Sequence, residues 1–492
     1  MKTELEVNFN SKFPVHRQLS DALRRAIIEG KIASNEPLPS IRTLAASLGV
    51  SRSAVARSFE DLASQGYVTT VLGSGTFVRH RMPGDLVEMD DLPELGSPGP
   101  DLNRELLLSA YGRRLMQHER EWAPHTVQDL NHGGPPMNLA PLAAWKVLFQ
   151  KHCRLRDLSL LEFKPDPFGF PPLREAYASY LTRARAVNCN SDQVAVFFAR
   201  ELRLDLLLRL FLEEGDFVAV ENPGYPGARQ RFAAHGANMI PIPVGPQGMD
   251  VDFLASLPNK IKFVYVTPSH HEPTGAVMPL SRRRQLLDWA KANGTFIIED
   301  DYDSEYRYCG RPVPSLQGMD DGEVVIHLSC LWKLMSPVVK LGFLVMPRSI
   351  VRIIRDAKSL CERDLPVIDQ FALTDFINEG HLERHIRRNR KTYGKRREKL
   401  VAELTEHLGR RAIVSTESAG MDMLVRIESP CSDEEIVRFS QQAGIPMVSS
   451  QPYYFADGRR GEFVIPFAMF DEDQIERGVE KLAFLVAQKD KI

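Results

Sequence analysis

FIIEDDYD, running from Phe296 to Asp303, is three apolar residues followed by four carboxylates and a phenol. The apolar part reads as a buried strand, and the acids fall at its carboxyl end. In open α/β sheets that end is where ligands bind. Similar apolar runs lie on both sides: Phe217–Val220, Ile261–Val266 and Val324–Leu328. Amphipathic helical patterns separate them, and this alternation predicts a parallel α/β sheet. The last 125 or so residues read as a separate α+β lobe.

Lys333 follows the strand Val324–Leu328, thirty-three residues beyond Asp300. A lysine after a strand end can form a Schiff base with an aldehyde cofactor. An aspartate facing a pyridinium nitrogen keeps it protonated and makes the ring an electron sink. A tyrosine two residues along can reach the ring oxygen. Asp300, Tyr302 and Lys333 are thus a minimal set for pyridoxal 5'-phosphate (PLP). A single lysine is more often a solvated surface charge, and the residues alone leave both readings open.

Toward the N-terminus the texture changes. Residues 82–101, MPGDLVEMDDLPELGSPGPD, hold six acids, four prolines and three glycines without one Lys or Arg. That is linker composition, and 81–125 is expected to be a linker between a unit at 12–80 and one at 126–492. Residues 1–81 carry 11 bases and 7 acids, a mildly basic head on a chain of net charge −2. Such a head hints at a polyanionic partner.

Within the head, Leu19, Leu23, Ala26 and Ile27 recur at helical spacing up to Gly30. Ser40 and Ser51 are placed to cap a second and a third helix around the turn Gly49-Val50. Tyr67–Leu72 and Thr76–Val78 flank Gly73-Ser74-Gly75, a hairpin signal. Helix, turn, helix and β-wing predict a winged helix-turn-helix. Ser51, Arg52 and Ser53 open the third helix, where base edges and phosphates are met, and Arg42 can reach the backbone. The bare backbone at Gly73 and Gly75 can approach phosphate closely. Any one of these arginines could equally be a solvated charge.

LPSIRTLAASLGVSRSAVARSFEDLASQGYV followed by GSGTFV closely resembles the GntR family of bacterial regulators, over residues 14–79. VTPSHHEPTGAVMPLSRRRQLL, FIIEDDYDSEYRY, ENPGYPGAR and FGFPPLREAYASYL resemble the fold-type I aminotransferase domain, from about residue 126 onward. Joined, they resemble the MocR subfamily of transcriptional regulators. The resemblance implies a DNA-binding regulator of an operator, cytoplasmic and homodimeric. Its aminotransferase-like body would sense PLP or a PLP–amine adduct, with vestigial or no transaminase activity. Carried over, Lys333 matches the Schiff-base lysine, Asp300 the pyridinium partner, Tyr302 the residue on the ring hydroxyl, and Tyr225 an aromatic near the ring.

The departures from the family pattern are chemical. The usual Ser-Gly-Ala of the phosphate cup is Phe198-Ala199-Arg200, and the usual Ser before the lysine is Trp332. Lys340 stands where an Arg is usual, keeping a charge but not the bidentate fork. Glu272 replaces an Asn beside the ring hydroxyl. Gly461–Pro466 lacks the Arg that holds an effector carboxylate; Arg459 and Arg460 lie just upstream. Two accounts follow: PLP held through Lys333, Lys340 and Arg200, or a pocket turned to another effector. A working aminotransferase with a DNA-binding head and a regulator with a non-PLP scaffold are the competing functions.

Composition agrees with a globular chain: 492 residues, 43% hydrophobic and 26% charged. No apolar run is long enough to span a membrane, and acids stand where a signal peptide would be apolar. The six cysteines are scattered without a CxxC pair, against a zinc site or a disulfide framework.

Overall fold

The computed structural model describes residues 13–71, 74–79, 108–119, 134–154, 166–310, 313–321, 324–414, 419–456 and 458–489. The chain divides into two compact units between Leu106 and Leu107.

The first unit is α1 (Val15–Ile28), α2 (Ile41–Leu48), α3 (Arg52–Ser64) and the hairpin β1 (Val68–Val71) and β2 (Gly75–Val78). Ser40 Oγ accepts from the Thr43 amide at 3.1 Å and starts α2. Gly49, at φ 67°, ends it in the left-handed region that a side chain would disfavour. Ser51 Oγ accepts from the Ala54 amide at 3.2 Å and starts α3. Leu19, Leu23, Ile27, Leu44, Phe59 and Leu62 are among the side chains that bury one another where the helices meet. Val68 and Val78, directly opposite each other in the hairpin, close that core. Gly73 lies outside the described residues.

The second unit begins within the stretch read as linker. There α4 (Ala110–Glu119) forms a helix. Arg114 Nε donates to the Ala234 carbonyl at 2.8 Å, and the same guanidinium pairs with Glu214 at 3.0 Å.

The body of this unit is an eight-stranded sheet. Its strands are β3 (Val194–Phe197), β4 (Phe217–Asn222), β5 (Asn238–Gly245), β6 (Gly248–Met249), β7 (Ile261–Val266), β8 (Phe296–Asp301), β9 (Val325–Cys330) and β10 (Gly342–Val345). They are ordered β3-β10-β9-β8-β7-β4-β5-β6. Neighbours from β9 through β5 are parallel, as the alternating pattern predicts. The sheet is not wholly parallel: β10 runs antiparallel to both β9 and β3, and β6 to β5. Only residues 331–341 join β9 to β10. A parallel return needs a crossover of about a dozen residues or more, so the chain doubles back. Lys333 sits in that tight return.

A second, antiparallel sheet forms the smaller lobe: β11 (Ala412–Val414), β12 (Met423–Ile427), β13 (Val448–Ser449) and β14 (Glu462–Ile465), ordered β11-β12-β14-β13. The 28-residue helix His381–Leu408 and the helices Asp433–Ala443 and Glu472–Lys489 accompany it. Among the described residues no helix is long and apolar enough to cross a membrane.

Candidate functional site

The pleat of β8 sorts its acids. Successive side chains of a strand point to opposite faces. Glu299 and Asp301 are buried on one side. Glu299 accepts from the amides of Leu316 at 2.7 Å and Gln317 at 3.0 Å, and lies 3.1 Å from His327 Nδ1. Asp301 pairs with buried Arg185 at 2.8 Å. These carboxylates are structural, and their partners offset the cost of burial. Asp300 and Tyr302 take the other side and face a cavity of about 270 Å³.

Five further segments close this cavity. Tyr265 comes from β7, and its hydroxyl donates to Asp300. Tyr225 stands at the start of the helix Pro226–Ala234. A methyl group on Gly227 would lie 2.5 Å from the Tyr225 ring, so glycine lets the phenol fold over its own helix. The helix Arg200–Phe211 presents its N-terminus with no side-chain cap. It comes close because of Gly342 in β10, where a Cβ would stand 2.9 Å from Arg200 Cα. Lys333 arrives from the β9–β10 return and Glu272 from the loop after β7.

The charges around the cavity form two groups. The Arg200 guanidinium lies 4.7 Å from the centre of the Trp332 ring and bonds Glu201 at 2.7 Å. Arg231, also in the lining, donates to the Gly227 carbonyl at 2.7 Å. Lys333 is surrounded instead by acids. Its ammonium donates to Asp422 Oδ2 at 3.0 Å. Burial alone would lower its pKa, but Asp422, Asp303 and Glu272 outweigh burial and hold it above the ordinary value. Burial pushes Glu272 up to about 7, a rise that Lys333 partly opposes. The Tyr453 hydroxyl donates to Glu272 at 3.4 Å.

Below Tyr302 runs a short polar chain. Tyr302 Oη lies 3.1 Å from His270 Nδ1, which lies 2.9 Å from Asp303 Oδ1. Asp303 outweighs burial and raises the His270 pKa. The neighbouring His271 differs. Burial drives it down to about 3, and its Nε2 donates to the Pro223 carbonyl at 3.0 Å. Glu221, 3.6 Å away, is pushed by burial up to about 8. That contact is therefore between two neutral groups at neutral pH.

Of the residues singled out by sequence, Asp300, Tyr302, Lys333, Tyr225 and Arg200 converge on this cavity, with Glu272 and Trp332. Lys340 does not: it is exposed and outside the lining. Arg459 is exposed beside Glu462, and Arg460 donates to the carbonyls of Pro430 and Cys431. Sequence reasoning missed Tyr265, Arg231, Glu201 and Asp422. A lone tyrosine inside the apolar run of β7 is the one local signal; Asp422, 89 residues from Lys333, gives none.

On the head, Arg42, Ser51, Arg52, Ser53 and Gly75 are exposed. The Ser51 hydroxyl is already engaged as the α3 cap and lies 3.0 Å from Ser53 Oγ.

A winged helix-turn-helix followed by a lysine-bearing α/β unit defines a two-domain DNA-binding regulator. Residues 16–78 match "Bacterial regulatory proteins, gntR family", and residues 128–482 match "Aminotransferase class I and II". The chain is 31% identical over 489 residues to the "Probable rhizopine catabolism regulatory protein MocR" of Rhizobium meliloti, covering 98% of this chain and 96% of that protein. It is 27% identical to the pyridoxine biosynthesis transcriptional regulator PdxR of Corynebacterium glutamicum, covering 96% and 97%. The chain belongs to the MocR-type subfamily of GntR-family transcriptional regulators. Its second unit resembles a kynurenine aminotransferase of Pyrococcus horikoshii, with TM-score 0.66 and 26% identity over 73% of this chain and 90% of that one. It shares the fold of LysN, an α-aminoadipate aminotransferase of Thermus thermophilus, with TM-score 0.69 and 23% identity over 78% and 98%.

Proposed function

We propose that the aminotransferase-like unit of this regulator binds PLP, alone or joined to an amine, and passes its state to the DNA-binding unit. When bound, PLP supplies an aldehyde that condenses with primary amines. Lys333 is the chain's own amine for that aldehyde. Asp300, oriented by Tyr265, would hold the pyridine nitrogen protonated. Tyr302 would meet the ring oxygen. The phosphate would take the helix start and the Arg200 guanidinium, displacing the Glu201 carboxylate that holds that guanidinium at 2.7 Å. Glu272, which titrates near neutrality, need not oppose the ring oxygen as a full charge. Lys340 has no part in this site.

The observation that carries the reading is the convergence of Lys333, Asp300, Tyr302 and an uncapped helix N-terminus on one cavity. The chain acts as a cytoplasmic homodimer, whose two heads suit an operator with two half-sites. Arg42, Arg52, Ser53 and the wing at Gly75 meet the DNA. Ligand binding at Lys333 shifts the two lobes of the second unit and with them the heads. Transaminase turnover needs substrate held in reactive geometry, and the lysine is faced by acids instead of a carboxylate clamp. Titration of the protein with PLP, followed by visible absorbance and by operator retention in a gel, tests the reading. A coloured complex with altered operator binding supports it. A colourless protein leaves the scaffold reading.

A further inference from the structure

Resting on that reading, we infer that the ligand admitted beside the cofactor is a primary amine without a carboxylate, carrying a second ammonium or a hydroxyl group. The geometry lies around Lys333. Asp422 holds its ammonium at 3.0 Å with one oxygen. The other, Oδ1, is buried and has no hydrogen-bond partner among the described residues. Glu272 lines the same cavity, reached by the Tyr453 hydroxyl at 3.4 Å. Among the guanidiniums that line the cavity, Arg200 is given to the phosphate in the proposed complex, and Arg231 donates to the Gly227 carbonyl at 2.7 Å. Arg203 donates to the carbonyls of Ser329 and Phe343, and Arg229 to those of Pro452 and Tyr453. Once Lys333 is engaged by an aldehyde, Asp422 loses its ammonium partner; a ligand amine that takes the aldehyde in turn releases Lys333 as a neutral amine, which brings no charge back to Asp422. An incoming cation or hydroxyl group replaces that ammonium; an incoming carboxylate meets Asp422 with like charge in a low-dielectric site, and Glu272 adds to that repulsion in its ionised fraction.

The experiment uses the full-length protein loaded with PLP and titrated with putrescine, ethanolamine, L-alanine and L-glutamate. Perturbation of the visible band by the two carboxylate-free amines is expected at concentrations at least roughly tenfold lower than by the amino acids. An equal or stronger response to the amino acids overturns the inference. Glu272→Gln and Asp422→Asn, which keep shape and remove charge, should each narrow the gap. A gap unchanged in both variants would overturn the assignment to these carboxylates. Absence of any band with PLP would defeat the cofactor reading alone. Thermal unfolding of the PLP-free protein with the same four compounds then decides: stabilisation by putrescine over the amino acids upholds the preference, and no difference overturns it.

Discussion

Lys333 Nζ and Asp422 Oδ2 lie 3.0 Å apart although 89 residues separate them in the chain. Lys333 belongs to the return between β9 and β10 of the large sheet, and Asp422 immediately precedes β12 of the small one. The bond therefore ties the two lobes together through the amine that the proposed cofactor consumes. Capture of Lys333 removes the free ammonium that makes this tie, which gives a ligand a direct means of favouring one lobe arrangement over another.

Asp422→Asn should make Lys333 easier to deprotonate. The ammonium is stabilised by Asp422, and losing that charge lowers the lysine pKa. The neutral amine is the nucleophile, so colour with PLP should develop faster near neutral pH, by roughly tenfold for each pKa unit removed. Stopped-flow absorbance measures this. An unchanged rate across the pH range would show that Asp422 does not control the amine.

Stability should fall as pH rises through the region where Glu221 titrates. Burial raises its folded pKa to about 8 from an ordinary 4.5, so the folded state binds this proton more tightly than the unfolded one. Its contribution is complete below the ordinary value and is lost as pH passes about 8, at about 1.4 kcal/mol per pKa unit. Glu272 and Glu305, both pushed by burial to about 7, act in the same direction. Thermal unfolding at about pH 6 and about pH 8.5 should show a drop for the wild type and a smaller one for Glu221→Gln. Equal drops would remove Glu221 as a cause.

What the sequence made legible follows the range of each interaction. The helix caps at Ser40 and Ser51, the Gly49 turn and the β-wing are local chemistry, and all form where the residues demand. The apolar runs located the strands, and the acids of β8 fell at the ligand end. Legible less directly was β10, whose reversal depends on loop length and not on hydrophobic pattern. Asp422 and Tyr265 were missed because their roles exist only once distant strands meet. Lys340 read as a replacement for a missing arginine, yet the fold leaves it outside the cavity.

The head offers a separable pair of tests. Arg52→Ala should weaken operator binding and reduce its salt dependence by about one counterion. Ser51→Ala should cost about 1 kcal/mol of stability through the lost α3 cap. Salt-dependent anisotropy titration and thermal unfolding distinguish the two. An Arg52→Ala protein with unaltered affinity and slope would take Arg52 out of the DNA contact.

Gly342→Ala should loosen the phosphate end of the cavity. A Cβ there would stand 2.9 Å from Arg200 Cα, a backbone atom that cannot step aside without moving the helix start. PLP affinity should fall by roughly tenfold or more, as expected when a positioned anion site is displaced. Equilibrium titration gives the value. Undiminished affinity would place the phosphate elsewhere.

The capture of PLP by Lys333 is tested most directly by borohydride reduction of the PLP-treated protein followed by peptide mass mapping. A phosphopyridoxyl group on the peptide containing Lys333, absent in Lys333→Ala, is the expected result. Modification confined to other lysines, or none at all, would contradict it.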